Sequence, residues 1–197
     1  MRNNKSVYST LGASSHSKTD RAEYDYYATA PIAIDVLLDE GGVILDKKVW
    51  ECSCGEGHLS ERLVERGVDV YSTDLIDRGF GDAFFDFLKT VDKVDMDILT
   101  NPPYELAQEF IEHAMKITTK GNRIFMFLKV QFLEGKRRKS FFRKYPPKTI
   151  YVSSSRILCA KNGDFLTMRK SGGSAVAYAW YEFVNGYQGE TTVKWIN

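Results

Sequence analysis

The octapeptide 97–104 (DILTNPPY) joins a short apolar run to a rigid polar turn. Its first four residues predict a buried strand, and Asn101, Pro102, Pro103 and Tyr104 follow as the turn. Both prolines lack an amide hydrogen and have a fixed φ, so the strand ends there and the residue before each proline is held extended. The turn therefore presents an amide side chain, a rigid backbone carbonyl and an aromatic ring together. In open α/β sheets, ligands bind at this carboxyl end of a strand.

An earlier segment predicts a second ligand-binding turn. Residues 48–52 predict a buried strand, and residues 58–66 predict a helix with apolar side chains on one face. Between them Gly55 and Gly57 form a Gly-x-Gly loop, where the absence of side chains lets a ligand approach the backbone. Ser60 stands where the dinucleotide fingerprint has its third glycine, which argues against a nicotinamide cofactor.

Three acidic residues stand at the ends of predicted strands. Glu51 lies directly before the glycine loop, and Asp74 follows the next strand, 19 residues after Gly55. This distance is close to the ~20 residues expected for a carboxylate that binds ribose hydroxyls. Asp86 lies in the apolar run 84–88, which predicts the end of a short third strand. All three are candidates to bind polar groups at one edge of a sheet.

The remaining elements alternate between helices and strands. Thr29 is predicted to be the N-cap of a helix with Pro31 in its first turn. The later predictions are a helix from 105 to about 120, a strand over 123–130, a basic amphipathic helix over 132–144, a strand over 149–152, a loop over 153–174, and strands over 175–184 and 191–196. About seven mostly parallel strands, with an antiparallel strand near the C-terminus and helices on both faces, predict a Rossmann-like α/β fold.

Length and composition suit one globular domain. The chain has 197 residues, 43% hydrophobic and 27% charged. Residues 1–23 predict a flexible arm and residues 24–197 a single catalytic domain with a basic insertion at 153–174. No apolar run is long enough for a membrane span, the polar start lacks a signal-peptide core, and three cysteines make no disulfide framework, so we expect a cytoplasmic protein. No zinc-like ligand spacing occurs, and we expect no metal.

Positive charge is concentrated in one part of the chain. Residues 129–170 contain twelve Lys and Arg and two acidic residues, whereas the rest contains 15 basic and 24 acidic residues. Such a distribution is typical of a protein that binds a polyanion at one place. The candidate nucleic-acid contacts are Lys136, Arg137, Arg138, Lys139, Arg156, Lys161, Arg169 and Lys170.

The tetrapeptide 101–104 resembles the catalytic motif of S-adenosylmethionine-dependent amino-methyltransferases. These enzymes methylate the exocyclic nitrogen of adenine or, in a related branch, a glutamine side-chain amide. Thr-x-Pro, an acid before Gly-x-Gly, a second acid, Asp-Phe and Asn-Pro-Pro-Tyr occur here in the family's order, over nearly the whole of 24–197. The glycine loop is similar to that of small phage-type DNA adenine methyltransferases, with Cys52 where those have proline.

The resemblance implies a class I methyltransferase fold, S-adenosylmethionine as cofactor, and a role for each matching position. The catalytic set is Asn101, Pro102, Pro103 and Tyr104: two carbonyl groups accept the hydrogens of the target amine, and the ring stacks on a flipped base. The implied cofactor contacts are Tyr27, Thr29, Pro31, Glu51, Ser53, Cys54, Gly55, Gly57, Asp74, Leu75, Asp86, Phe87 and Asn101.

The substrate polymer is less well determined. The basic segment and the phage-type resemblance favour DNA. Because a target-recognition domain of ordinary size is missing, specificity would come from the arm, the loop over 153–174 or a partner subunit. RNA adenine is the nearest alternative. Protein-glutamine methyltransferases normally carry an extra N-terminal helical domain, for which this chain has no room. A module that binds cofactor or nucleic acid without catalysis is a further alternative, against which the intact Asn-Pro-Pro-Tyr argues.

Overall fold

The computed structural model describes residues 26–170 and 176–197. The predicted arm, residues 24–25 of the predicted domain, residues 171–174 of the predicted insertion and residue 175, where a predicted strand begins, lie outside the described residues. The helices are α1 (Ile32–Asp39), α2 (His58–Glu65), α3 (Ala107–Ile117), α4 (Arg138–Lys144) and α5 (Phe165–Lys170). The strands are β1 (Tyr27–Thr29), β2 (Val49–Glu51), β3 (Val70–Asp74), β4 (Ala83–Phe84), β5 (Asp97–Thr100), β6 (Arg123–Lys129), β7 (Thr149–Ser153), β8 (Cys159–Lys161), β9 (Tyr178–Val184) and β10 (Thr192–Ile196).

Eight strands form one sheet in the order β10-β7-β9-β6-β5-β2-β3-β4. All neighbours are parallel except β9, which runs antiparallel to both β6 and β7. The predicted mostly parallel α/β sheet with an antiparallel strand near the C-terminus is therefore confirmed. Separately, β1 and β8 form an antiparallel two-stranded ribbon.

The central strands of the sheet are buried on both faces, whereas the edge strand β10 is largely exposed. Along β5, Ile98 faces the cluster that includes the apolar residues of α3 and α4, whereas Leu99 faces the cluster of α1 and α2. This alternation follows from the two-residue period of a strand. All seven residues of β6 are buried or partly buried, as expected for a central strand covered by helices on both sides. The two helical layers therefore hold the carboxyl ends of β2, β3 and β5 side by side.

Two predictions in the basic segment are wrong. The predicted helix over 132–144 begins only at Arg138, because Gly135 has a φ of 117°, which no right-handed helix accommodates. A 3₁₀ turn, Val130–Leu133, occupies the earlier part. The predicted loop over 153–174 contains β8 and α5, which are too short to show a clear period in the sequence.

Two predictions around the ligand-binding turns also need correction. Thr29 is not an N-cap: it lies in β1, and Pro31 occupies the N-cap position of α1 without a side-chain hydrogen bond. The predicted third strand ends at Phe84, and Asp86 instead caps a 3₁₀ turn by accepting a hydrogen bond from the Leu88 amide. Among the described helices, none has the length and apolar content to cross a membrane.

Candidate functional site

A cleft of about 900 Å³, part of it open to solvent, lies at the carboxyl edge of the main sheet. One wall consists of the turns that follow β2, β3, β4 and β5, and we call it the strand-end wall. The other is β1 with β8 behind it, and we call it the ribbon wall. The predicted residues that line the cleft are Tyr27, Thr29, Glu51, Ser53, Cys54, Asp74, Leu75, Asp86, Phe87, Asn101, Pro102, Pro103 and Tyr104. Three predicted cofactor contacts, Gly55, Gly57 and Pro31, are not among the lining residues, and Pro31 is exposed at the start of α1.

The Asn101 side chain joins the two walls. Its Nδ2 donates hydrogen bonds of 2.9 Å to the Tyr27 carbonyl oxygen and of 2.9 Å to Thr29 Oγ1. Because a carbonyl can only accept, the first bond fixes which end of the amide is nitrogen. The other end, Asn101 Oδ1, is buried and has no hydrogen-bond partner among the described residues. The cleft thus contains a fixed acceptor that no described residue satisfies.

Ser53 fastens the glycine loop to the Asn-Pro-Pro-Tyr turn. Its hydroxyl lies 2.6 Å from Thr100 Oγ1 and donates to the Asn101 backbone carbonyl at 3.2 Å. These bonds run between the ends of β2 and β5, which are neighbours in the sheet. The structure therefore gives Ser53 a bridging position between the two turns that the sequence predicts as ligand-binding.

Asp74 organises the glycine loop from the end of β3. Its Oδ2 accepts a hydrogen bond of 2.8 Å from the Gly55 amide, and its Oδ1 accepts one of 2.9 Å from the Ile76 amide. A carboxylate oxygen has two lone pairs, so each can accept one more hydrogen bond. Asp74 also lines the cleft, where this remaining capacity suits a ligand hydroxyl.

The Glu51 carboxyl is buried at the end of β2. It accepts a hydrogen bond from the Ser60 hydroxyl, which lies 2.7 Å from Ser72 Oγ. Burial raises the pKa of Glu51 to about 8, although the hydrogen bonds from Ser60 act in the opposite direction. A cation bound beside this carboxyl would favour its ionised form. Glu51 lines the cleft and is therefore suited to such a cation.

Asp86 and Phe87 have different surroundings although they are adjacent. Asp86 Oδ1 accepts from the Leu88 amide at 3.0 Å, and its Oδ2 lies 3.4 Å from Lys89 Nζ on the exposed side. The Phe87 ring is buried in the core, and its centroid lies 5.2 Å from that of the Trp50 ring. The side chain of Phe87 therefore packs the protein, whereas that of Asp86 faces polar partners.

Two aromatic side chains that the sequence did not single out pack on the glycine loop. Gly55 has a φ of +58°, and a Cβ there would collide with the Tyr26 ring. Gly57 has a φ of +88°, and a Cβ there would lie 2.5 Å from the Phe80 ring. Tyr26 also accepts a hydrogen bond from the Glu56 amide and lies 4.4 Å below the Arg78 guanidinium. The glycines are thus required by these aromatic contacts as well as by backbone geometry.

Sequence reasoning also missed several lining residues that stand beside the predicted ones. They are Tyr26, Ala28, Cys52, His58, Leu59, Ile76, Arg78, Leu88, Leu106 and Phe110. Position alone indicates some of them: Tyr26 belongs to the tyrosine-rich approach to β1, and Ile76 directly follows the predicted Leu75. Arg78 and Phe110 have no such indication, because their places depend on how the chain packs.

Tyr104 presents its ring, not its hydroxyl, to the cleft. The residue is partly exposed, but its hydroxyl is buried, and burial raises its pKa well above the usual value. The centroid of the Tyr104 ring lies 5.9 Å from the centroid of the Tyr27 ring. Lys129 Nζ lies over a face of the Tyr104 ring, 4.6 Å from its centroid. The hydroxyl therefore stays protonated at neutral pH, and the ring is the part suited to meet a ligand.

The predicted nucleic-acid contacts follow the carboxyl ends of β6 and β7 or lie on β8 and α5. All are exposed except Arg138, which is partly buried. Its guanidinium lies 3.6 Å from the Phe132 ring centroid and donates to the Phe132 carbonyl at 3.2 Å. Arg138 thus holds the 3₁₀ turn, while the other basic residues surround the same edge of the sheet as the cleft.

No protein-family model and no curated protein matches this chain. Solved structures of similar fold include a candidate class I S-adenosylmethionine-dependent methyltransferase from Listeria monocytogenes, with a TM-score of 0.53 and 14% identity over 83% of this chain and 62% of that one. A candidate RNA methyltransferase from Pyrococcus horikoshii has a TM-score of 0.58 and 15% identity over 93% of this chain and 99% of that one. A modification subunit of a candidate type I restriction enzyme from Vibrio vulnificus has a TM-score of 0.54 and 16% identity over 89% of this chain and 46% of that one.

The chain thus spans less than two thirds of the Listeria and Vibrio proteins but nearly all of the Pyrococcus protein. At these identities the likeness is one of fold. The chain has the α/β fold of class I S-adenosylmethionine-dependent methyltransferases.

Proposed function

We propose that this protein transfers a methyl group from S-adenosylmethionine to the exocyclic N6 amine of adenine in nucleic acid, with DNA as the preferred polymer. The observation that carries the proposal is the buried Asn101 Oδ1, an acceptor in the cleft for which the described residues provide no donor. A buried acceptor without a partner costs free energy, which a donor on a bound molecule would recover. An adenine amine is such a donor.

The strand-end wall fits the cofactor. Glu51 would pair with its ammonium group, Asp74 with the ribose hydroxyls and Asp86 with the adenine amine. Each of these carboxyls lines the cleft: Glu51 and Asp74 are the last residues of β2 and β3, and Asp86 follows β4, the next strand in the sheet. When bound, S-adenosylmethionine would supply an electrophilic methyl group on a sulfonium centre.

The Asn-Pro-Pro-Tyr turn fits the target. The lone pair of an adenine amine is delocalised into the ring, so this nitrogen is a poor nucleophile. Asn101 Oδ1 and the Pro102 carbonyl would accept its two hydrogens, favour a pyramidal nitrogen and direct the lone pair away from the ring. The rate gain would come from positioning and fixed dipoles, because the turn provides no strong base. The Tyr104 ring would stack on the extruded base.

The polymer is inferred from charge and from the resemblance. Exposed basic residues follow β6 and β7 and continue on β8 and α5, at the edge where the cleft opens. Such a surface attracts phosphates regardless of sequence. Proteins with this fold include the candidate RNA methyltransferase and the modification subunit described above, so the fold occurs in proteins named for nucleic-acid modification. The resemblance to phage-type enzymes favours DNA over RNA.

The test offers labelled S-adenosylmethionine with unmodified duplex DNA, single-stranded DNA, RNA and protein in parallel. We expect label on DNA, recovered as N6-methyladenine, and none with the Asn101→Ala variant. Label on RNA adenine would support the chemistry but change the polymer from DNA to RNA. Label on protein glutamine would change the target from an adenine amine to a side-chain amide. Cofactor binding without transfer to any of the four would contradict the proposal and favour a binding module.

A further inference from the structure

We infer that Thr29 is a positioning residue for the Asn101 amide and not a ligand of the cofactor; this inference rests on the proposed function. Two observations carry it. The Thr29 hydroxyl accepts one of the two Asn101 Nδ2 hydrogens at 2.9 Å, and Thr29 itself is only 3% exposed. A buried hydroxyl is costly unless it is hydrogen-bonded, and here its partner is the proposed catalytic amide.

The two bonds to Asn101 have different consequences. The Tyr27 carbonyl determines which end of the amide is nitrogen, and this backbone group cannot be removed by a side-chain substitution. The Thr29 hydroxyl takes the second hydrogen and so fixes the plane of the amide. The χ2 torsion of Asn is broad, so one bond alone leaves the amide free to rotate about it. With both bonds, the direction of Asn101 Oδ1 is set.

The position of Thr29 is in turn set by β8. Thr29 and Cys159 are register partners in the ribbon, and Thr29 Oγ1 lies 3.9 Å from Cys159 Sγ. The Cys159 thiol also neighbours the hydroxyls of Tyr104 and Tyr178. The first and last residues of the Asn-Pro-Pro-Tyr turn, Asn101 and Tyr104, therefore both contact one buried pair, Thr29 and Cys159. We therefore expect the pair Thr29 and Cys159 to hold the Asn-Pro-Pro-Tyr turn in one geometry.

The test compares Thr29→Val with Thr29→Ser. Valine keeps the β-branched shape of threonine and its preference for a strand, but removes the acceptor. We expect kcat to fall 10- to 100-fold, since small misplacement of a positioning group has effects of about this size. The KM for DNA and the Kd for S-adenosylmethionine should change less than about threefold. Serine keeps the hydroxyl, so Thr29→Ser should recover kcat to within about threefold of the wild type.

A measurement without substrate tests the same contact. In ¹⁵N-labelled protein, the Asn101 side-chain NH₂ signals, assigned by their loss in Asn101→Ala, should exchange with solvent faster in Thr29→Val than in the wild type or Thr29→Ser. The backbone amide spectrum and the thermal unfolding midpoint serve as controls for the fold. If Thr29→Val unfolds, it would be identified there, and Thr29→Ala, which also removes the acceptor, would replace it: the same fall in kcat and the same faster exchange are expected, and wild-type kcat in Thr29→Ala would overturn the inference.

Each outcome is assigned in advance. Unchanged kcat in Thr29→Val would overturn the inference. Weakened cofactor binding with unchanged kcat would also overturn it, because Thr29 would then act as a cofactor ligand. If the wild type transfers no methyl group to any polymer, the proposed function fails, and the exchange of the Asn101 NH₂ still shows whether Thr29 positions it.

Discussion

The two walls of the cleft are assembled in different ways. The strand-end wall uses turns that each follow a strand of the main sheet, and all of them lie between residues 51 and 104. The ribbon wall pairs two strands of three residues whose register partners, Thr29 and Cys159, are 130 positions apart in the chain. Both walls meet at Asn101, which lies on the first and is hydrogen-bonded to the second.

This difference suggests a division of work. The strand-end wall is fixed by the buried parallel sheet, so its carboxyls keep their places independently of the other wall. A two-stranded ribbon has little stability alone. The ribbon wall therefore depends on contacts with the strand-end wall, such as the hydrogen bonds of Asn101 with β1. The helix α5, which follows β8, adds a ring contact of Phe165 with His58, with the centroids 5.3 Å apart. We expect the strand-end wall to bind the cofactor and the ribbon wall to set the geometry of transfer.

Substituting Asn101 should separate these two roles with the largest effect. Asn101→Ala removes the acceptor for the target amine and the link to β1, and we expect transfer to fall by about 100- to 1000-fold, as for the loss of one preorganised hydrogen-bonding group in other enzymes. Cofactor binding, measured by calorimetry, should be nearly unchanged. Wild-type transfer by this variant would contradict the mechanism, and equal loss of transfer and of cofactor binding would contradict the division between walls.

Removing charge from α5 should weaken binding of the polymer without affecting the cofactor. For the double variant Arg169→Ala and Lys170→Ala we expect about tenfold weaker DNA binding at low salt. The slope of log K against log salt should be shallower by about 2, because each lost phosphate contact removes about 0.9. DNA binding measured at several salt concentrations gives both numbers.

A matched control has the same change of charge at the opposite edge. Lys48 and Lys120 are exposed and precede β2 and β6, at the amino ends of those strands. The double variant Lys48→Ala and Lys120→Ala should leave the salt slope near that of the wild type. Equal slopes for the two double variants would show that DNA does not bind at the edge where the cleft opens.

Asp86 offers a smaller and more local test of the strand-end wall. In Asp86→Asn the side-chain oxygen can keep the cap on the Leu88 amide, because Asn and Asp are similarly good caps. The other oxygen is then replaced by an NH₂ group, which cannot accept from the cofactor adenine amine. We expect cofactor affinity to fall about tenfold, measured by calorimetry, with little change in thermal stability. Unchanged affinity would remove Asp86 from the proposed cofactor site.

The strand-end wall was largely predictable from sequence because its information is local. A buried strand followed by a glycine, an acid or a proline pair is read from a few adjacent residues, and the rule that ligands bind at carboxyl strand ends places these turns together. Asp74 illustrates this: its distance from Gly55 indicated a shared site, and the structure has a hydrogen bond between the two. The contact of Ser53 with Asn101 could not be inferred in the same way, because it depends on which strands are neighbours.

The ribbon wall was not predictable because its information is distributed along the chain. Three-residue strands show no period, so Thr29 was assigned to a helix cap and β8 to a loop. Their pairing becomes favourable only when the sheet has brought both segments to the same edge. The helix predicted over 132–144 failed for a local reason: its pattern of apolar residues is helical, but Gly135 adopts a positive φ that interrupts it.

Glu51 provides the smallest expected effect and tests the strand-end wall through stability. Its pKa in the folded protein is about 8, raised mainly by burial above the ordinary value of 4.5. Between these two pH values the folded state retains a proton that the unfolded state has lost, so stability should decrease as pH rises. Glu51→Gln keeps the acceptor for Ser60 and removes the titration. We expect the free energy of unfolding to fall by about 1 kcal/mol more in the wild type than in Glu51→Gln over pH 6 to 7.

Urea unfolding at several pH values measures this difference. Thr29→Val is the appropriate control, because it alters the ribbon wall and leaves the Glu51 carboxyl in place; its stability should follow the pH dependence of the wild type. Parallel curves for the wild type and Glu51→Gln would show that Glu51 is already ionised in the folded protein. In that case Glu51 would be ionised before the cofactor binds, and pairing with the cofactor ammonium would release no proton from Glu51. If the curves differ as expected, binding at neutral pH should release up to one proton, because a cation beside the carboxyl lowers its pKa.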